Sequence, residues 1–567
     1  MPSPPSDATL ALDRGAFSCW TEEGRTGLNR EGFWALTEAW LDRIEADPAV
    51  GDFGLIVART SLDAMALFVA MIAAGKAVSF FPPSSSRQDA ESYLEQQREA
   101  VLRIDPSSIL SFEGPQPALD GIDARLRARV IRLPPVAGGP ERPSSGGRAL
   151  ARFEAALARE TPLFWQHSSG TTGIKKAVGV TGPALRRQFE SYWPAIQASL
   201  GDAPIRVASW LPLYHDMGLL AGFLLPLLGG SSLALMDPFD WVDAPQRFLE
   251  MIEAERSSVC WSPNFAFRHY TRLRRVMPRR DLASLRLWIS CSEPCRYPDA
   301  LGFEAAYADM GVAPGSVLGC YAMAETVFAA SQLEVGGQRA LIVPRGLQPG
   351  GSIIAAGATE TQARDLEIPA GQQAVLSSGP PIPGVEAQLF VEGAPADGEG
   401  IYGEIGLRGE VVFAGYRGLD RAQSNLRPDG FFLTGDLGVM LGGRLYVFGR
   451  SKEMLIVNGK NLYAGDVEER AGAAAGVRPG RAVAFGIDNP ALGTEELIIV
   501  AEKDSAAGLD DAAIRAGVMA AVSDAFLVKP HDVRLIDGRW LVKTTSGKIS
   551  RAKNRAKYLR DFRPDLA

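Results

Sequence analysis

The chain is short of the groups that would tie it to a structural metal, to nucleic acid or to an oxidising compartment. Its 567 residues hold only four histidines and five cysteines, Cys19, Cys260, Cys291, Cys295 and Cys320. Cys291 and Cys295 are four apart, but no second pair and no histidine cluster completes a zinc pattern. The scattered thiols read as reduced core residues of a cytoplasmic protein. Basic charge is not in excess: 59 Lys and Arg stand against 66 Asp and Glu, for a net charge of −7. This argues against a general nucleic-acid binder, which carries a basic surplus. The segment MPSPPSDATLALDRG has no basic stretch running into an apolar one, so it lacks the form of a signal peptide. One long uncharged stretch exists, MGLLAGFLLPLLGGSSLALM from Met217 to Met236, about long enough to span a bilayer. Pro226, Gly229, Gly230, Ser231 and Ser232 break it into a helix, a turn and a strand. It is expected to be buried core and no membrane span.

What is present is ordinary for a soluble globular protein, 46% hydrophobic and 22% charged. The length exceeds one core and predicts roughly two to four domains. GLIVAR reads as a strand, SLDAMALFVAMIAAG as a helix closed by Gly75, and AVSFF as a strand, together a right-handed parallel unit. The segment PPVAGGPERPSSGGR, Pro134 to Arg148, is a Pro-, Gly- and Ser-rich surface loop. TPLFWQ, IRVASWLPL, SSLALM, SSVCWS, LRLWIS and GSVLGCYA continue an α/β alternation that is expected to run to about residue 370. Beyond it strands dominate, in EAQLFV, GEIGLRG, RLYVFGR and MLIVNG. A boundary near Arg450 leaves 451–567 as a small α+β domain with RAVAFGI, ELIIVAEK and a helix from Asp510 to Ala525. No internal repeat is visible.

Four segments carry chemistry. WQHSSGTTGIKKAV places Ser168, Ser169, Gly170, Thr171, Thr172 and Gly173 after a strand and ahead of Lys176. Glycines let backbone N–H groups approach phosphate oxygens, the hydroxyls donate, and the lysine supplies charge. The loop is not a Walker A motif, because Lys175 stands where that pattern needs glycine. FLTGDLG sets Asp436 after a tight turn, where a carboxylate can accept both hydroxyls of a ribose. CYAMAETV sets Glu325 after a strand, suited to magnesium or to a plain helix start. LVKTTSGKISR holds Lys548 in a small-residue turn within a run, Lys543 to Arg560, of seven basic residues and no acidic one. Each alone also reads as a flexible turn or a solvated face.

In this order the segments SSGTTGIKK, WLPLYHDMGL, YAMAET, TGDLG, GRSKEMLIVNGKN and TTSGKISR resemble the adenylate-forming superfamily of acyl ligases across nearly the whole chain. The resemblance implies a large N-terminal adenylating domain, 1–450, of two parallel-sheet lobes and a small barrel-like lobe. A mobile C-terminal domain, 451–567, follows. It implies that the 168–176 loop holds the β- and γ-phosphates of ATP while a carboxylate attacks the α-phosphate, releasing pyrophosphate and leaving an acyl adenylate. Glu325 matches the magnesium ligand, Asp436 and Arg450 the ribose contacts, and Tyr321 with Ala322 the adenine flank. Ser292, Glu293 and Pro294 fall with the nucleotide-binding set, and His215 with the catalytic one. Lys548 matches the lysine that bridges ATP phosphate and substrate carboxylate, a cation between two anions that must meet. Lys452 falls at the hinge.

Within the superfamily the chain is most similar to fatty acyl-AMP ligases. SPNFAF, from Ser262 to Phe267, resembles their GPNFAY segment, and SEPCR their AEPVR; NGKNLYAGDVE carries their Asn461, Tyr463, Asp466, Glu468 spacing. The 54 residues from Glu325 to Gly379 are long, as in those ligases, whose insertion hinders the rotation that CoA transfer needs and whose adenylate passes to a carrier protein. Trp261, Cys291 and Ala322 each stand where the family shows glycine, which adds volume on the acyl side. The expected function is ATP- and magnesium-dependent adenylation of a short, aromatic or otherwise size-restricted acid, followed by transfer to a carrier protein. An acyl-CoA synthetase, activation of another small oxyacid such as nitrite in natural-product diazo formation, and a catalytically silent nucleotide-binding homologue are the alternatives.

Overall fold

A computed structural model describes residues 10–83, 98, 101, 104–112, 130–136, 146–168, 176–331, 338–362, 368–369, 371–457, 460–489, 494–538, 540–543 and 549–564. Of the sequence expectations, Ser169 to Gly173 and Lys548 lie outside these residues.

Two parallel sheets form the large lobes. The first runs in the order Val130–Leu133, Ser108–Phe112, Phe53–Val57, Ala77–Phe81, Phe164–Ser168, Lys176–Val180, with only the last pair antiparallel. The second runs Val317–Gly319, Leu287–Cys291, Val259–Pro263, Arg206–Ser209, Ser232–Met236, Ala16–Thr21, Gly24–Asn29, again parallel except at the last pair. Helix Leu62–Ala73 is buried on every side, as an apolar helix between two layers must be. Its Phe68 ring lies 6.3 Å from Phe223, and one hydrophobic core spans both lobes.

The stretch from Met217 to Met236 is core, as its turn residues predict. It forms a π-helix Met217–Leu224, one further turn Leu225–Leu228 and the strand Ser232–Met236, buried almost throughout. Among the described residues no helix is long and apolar enough to cross a membrane.

The α/β alternation stops earlier than residue 370. From Ala340 the chain builds an antiparallel sheet, Thr359–Thr361, Ala340–Pro344 and Gln372–Leu376. Apolar residues in ALIVP resemble a parallel core strand, yet what they cover is the face of a second antiparallel sheet. That sheet runs Ala394–Pro395, Val385–Val391, Gly403–Gly409, Phe432–Leu441, Arg444–Arg450. The two are joined where Ser378 N donates to Leu445 O at 2.8 Å and Leu445 N to Gly379 O at 3.0 Å. They enclose Leu341, Val343, Tyr402, Leu437 and Tyr446 as a barrel-like lobe.

The remainder is α+β. A hairpin, Met454–Val457 with Lys460–Tyr463, leads into helix Ala464–Gly472. The sheet Val477–Asn489, Thr494–Lys503, Asp532–Ile536 carries helices Asp511–Phe526 and Arg551–Phe562. Asp510 caps the first of these helices by accepting from Ala513 N at 2.7 Å. Two hydrophobic clusters are built wholly from residues after Met454.

Candidate active site

Glu325 lies in a single 3-10 turn, Ala324–Thr326, after the strand Val317–Gly319. The turn is held from two sides. Gln166, in the strand leading to the phosphate-loop segment, donates Nε2 to Val327 O at 2.8 Å. Phe413 N donates to Glu325 O at 2.8 Å. Val327 takes φ +64°, a left-handed conformation that a β-branched residue avoids. The fold therefore stores strain one turn from the candidate metal ligand.

The Glu325 carboxylate is buried, and Tyr416 donates its hydroxyl to Oε1 at 2.6 Å. Lys176 stands over the Tyr416 ring, 4.4 Å from its centroid. The strand Lys176–Val180 is stitched to the Tyr416 segment by Arg417 N donating to Ala177 O at 3.0 Å. Tyr416 thus links Lys176, on the strand Lys176–Val180, to Glu325. Burial pushes the Glu325 carboxyl above its ordinary value, against the Tyr416 hydrogen bond and the Arg450 charge, which lower it.

Asp436 reaches the same cluster from the strand Phe432–Leu441. Gly435, at φ +75°, allows an irregularity there, and Asp436 N turns to Thr434 Oγ1 at 3.1 Å. Asp436 pairs with Arg450 across the ladder. Tyr321 donates its hydroxyl to Asp436 Oδ2 at 2.6 Å, and Arg450 Nε lies 3.2 Å from Oδ1. Burial raises the Asp436 carboxyl, with Arg450 and Tyr321 opposing. Arg450 is held more firmly protonated by Asp436 first, then by Glu453 and Glu325. Glu325, Asp436, Tyr321 and Arg450 therefore form one electrostatic unit.

His215 Nδ1 is 2.5 Å from Asp216 Oδ1, and Asp216, whose charge acts on Glu325, caps the π-helix Met217–Leu224 by accepting from Met217 N. π-Turns of this kind are frequent at functional sites. Ser292, at φ +66°, brings its Oγ within 3.8 Å of Met217 Sδ. Glu293 accepts from Phe265 N at 3.0 Å and Pro294 completes the turn. Ser168 ends its strand beside Lys176.

Trp261 and Cys291 share a sheet face, since Trp261 pairs with Ile289 two residues before Cys291. Both are fully buried. Trp261 Nε1 donates to Tyr192 OH at 3.0 Å. Ala322 packs at the edge of the same core and bridges to Ala329. All five cysteines are free and buried; burial pushes the Cys19 and Cys295 thiols up to about 12, which leaves them inert.

Sequence reasoning missed Tyr416 and Tyr192. Tyr416 lies in FAGYRG, where its flanking glycines signal only a turn. It also missed the contacts of the small unit. Asp466 meets Arg296 at 3.0 Å and Arg345 at 3.0 Å, while Glu469 meets Arg296 and, at 3.4 Å, Arg268.

The family model for AMP-binding enzymes matches residues 40–417. The chain belongs to the family of AMP-binding enzymes. Relatives include a putative fatty-acid–CoA ligase, fadD25, of Mycobacterium tuberculosis, 30% identical over 90% of this chain and 88% of its own. The long-chain-fatty-acid–AMP ligase FadD32 of Mycolicibacterium smegmatis is 27% identical over 94% and 90%. Among solved structures, one from a study of fatty acyl-adenylate ligases of E. coli and L. pneumophila superposes with a TM-score of 0.80 at 22% identity. It covers 97% of this chain and 96% of its own. An adenylation–carrier structure, McyG A-PCP with phenylalanyl-adenylate, superposes at 0.80 with 17% identity, over 98% and 82%. The AMP-binding enzyme is thus an acid–AMP ligase that adenylates a small-molecule acid with ATP, and it is similar to fatty acyl-AMP ligases.

Proposed function

We propose that the chain adenylates a size-restricted carboxylic acid and passes the acyl group to a carrier protein. The observation that carries the first half is the convergence of Glu325, Asp436, Tyr321 and Arg450 beside Lys176. A ribose needs a buried carboxylate with a cation next to it, which Asp436 and Arg450 provide at 3.2 Å. A triphosphate needs positive charge at the loop end, which Lys176 offers. Tyr321 forms the adenine flank, and Ser292 to Pro294 the turn under the nucleotide.

The residues fit a magnesium ion. Glu325 is a buried carboxylate whose anion is disfavoured by its surroundings, and a hard cation binds through one such carboxylate, substrate phosphates and water. When bound, the ion neutralises phosphate charge. Tyr416 holds the glutamate in place. In the reaction a carboxylate oxygen bonds to the α-phosphorus, the bond to the bridging oxygen breaks, and pyrophosphate leaves. Lys548 supplies the charge between the two anions, and His215, oriented by Asp216, borders the carboxylate end.

The division after Arg450 and a hinge at Lys452 suit the short turn Ser451–Glu453. The carrier as acceptor is supported by the interface of the small unit with the long segment after Glu325, where Arg345 reaches Asp466. Trp261, filling the space of a glycine, supports the restriction in size. ATP–pyrophosphate exchange with a panel of acids tests the reading. Exchange is expected with short or aromatic acids, and a chain inert with every acid, nitrite included, removes it.

A further inference from the structure

We propose that the acid carries a hydrogen-bonding group remote from its carboxylate, recognised by the Gln188 amide and the Tyr192 hydroxyl. This rests on the adenylation reading above and names its substrate class. Gln188 lies on helix Gly182–Leu200 and is 0% exposed. Neither Nε2 nor Oε1 has a hydrogen-bond partner among the described residues. A primary amide has two donors and an acceptor with two lone pairs, and native proteins rarely bury such a group unmatched. The unmatched amide points to a ligand that supplies the partner.

The surroundings say which ligand. Tyr192 follows one turn later, so both side chains lie on one stripe of the helix. The Tyr192 hydroxyl accepts from Trp261 Nε1 at 3.0 Å and donates to Cys320 Sγ at 3.6 Å, which leaves it one lone pair for a donor on the acid. Trp261, Cys291 and Cys320 share one face of the parallel sheet by register. That face continues directly into the nucleotide site: Cys320 precedes Tyr321, which binds Asp436, and Cys291 precedes the Ser292 turn. The helix stripe and this sheet face meet at the Trp261–Tyr192 hydrogen bond, next to the residues of the nucleotide site.

An alkyl chain there would leave the amide without partners and meet the edge of an indole. A hydroxyl, carbonyl or amine on a short skeleton satisfies the amide, and the indole and phenol flank it. Phe328, 5.7 Å from the Tyr192 ring, closes the apolar side. The acid is compact and polar at its far end.

The test is ATP–pyrophosphate exchange with matched pairs, 4-hydroxybenzoate against benzoate and 3-hydroxybutyrate against butyrate, in the wild type, Gln188→Leu and Tyr192→Phe. A site built to bond a hydroxyl discriminates by about tenfold or more. The wild type is expected to favour the hydroxylated member of a pair by that factor. Gln188→Leu should bring the ratio to within about twofold. Exchange with no preference in the wild type, or a ratio unchanged in Gln188→Leu, overturns this inference and leaves the adenylation reading standing. Exchange with no acid removes both. A melting curve gives an independent check. An amide with no partner among the described residues is replaced by leucine at no loss, so Gln188→Leu should melt at or above the wild type. A marked fall would reveal protein partners and overturn the proposal.

Discussion

Arg450 Nε lies 3.2 Å from Asp436 Oδ1, across an irregular pair of antiparallel strands. The pair sits between the barrel-like lobe and the small unit, since Arg450 ends its strand and Ser451 begins the next turn. On the proposed reading, a ribose held by these groups would link nucleotide binding to the position of that turn. Asp436→Ala is therefore expected to raise the KM for ATP by about tenfold or more, with the fold retained, because a charged hydrogen-bond acceptor is removed. An unchanged KM in exchange assays would refute this role.

Burial holds the Glu325 carboxyl above its ordinary value. A group whose folded pKa exceeds its unfolded one contributes stability below the unfolded pKa and loses it as pH rises through the folded pKa. Once ionised, the glutamate thus costs the ligand-free protein stability. Glu325→Gln should melt higher than the wild type at pH 7. The difference should shrink towards pH 4, and exchange activity should fall. A melting point lower at pH 7 than the wild type would show that the charge is stabilised in place.

Lys548→Ala should slow adenylate formation roughly a hundredfold or more, the scale for removing a preorganised charge. Single-turnover adenylation measures it, alongside a circular-dichroism spectrum that should match the wild type. Unchanged pyrophosphate exchange would remove the lysine from the mechanism.

CoA is expected to be a poor acceptor. Asp466 is buried between Arg296 and Arg345, and breaking such a pair by removing one partner is costly. A rotation of the small unit away from Arg345 would break it. Product analysis should find acyl adenylate and little acyl-CoA, and Asp466→Ala combined with Arg345→Ala should raise acyl-CoA several-fold. Efficient acyl-CoA formation by the intact chain would favour a CoA synthetase instead.

Trp261 is 1% exposed and tied to Tyr192. Acids of about twelve carbons or longer should give negligible exchange, because an indole of roughly 150–250 Å² fills the space that glycine leaves. Trp261→Gly should extend the accepted length. Robust exchange with a long-chain acid in the wild type would mean that the indole stands clear of the chain.

Local signals were legible in the sequence because they act over a few residues. Leu62–Ala73 and its stop at Gly75 followed from an apolar run closed by glycine, and the helix beginning near Asp510 was legible too, although Asp510 turned out to be its cap and not its first residue. The end of the α/β alternation was not legible. ALIVP has the same composition in a parallel sheet and in an antiparallel one, and only its partners, Thr359–Thr361 and Gln372–Leu376, distinguish them.

The sequence by itself determined the strand–helix–strand unit from Phe53 to Phe81, the buried fate of Met217–Met236 and the ordered motifs that mark an AMP-binding enzyme. These depend on periodicity, turn residues and spacing along one chain. Only the tertiary structure decided that Tyr416 holds Glu325, that Tyr321 and Arg450 meet at Asp436, and that Gln188 is buried without a hydrogen-bond partner among the described residues. Those facts join segments far apart in the chain. Hydrogen bonds and charge pairs act over a few ångströms in space, and sequence separation carries no record of them until the sheets have packed.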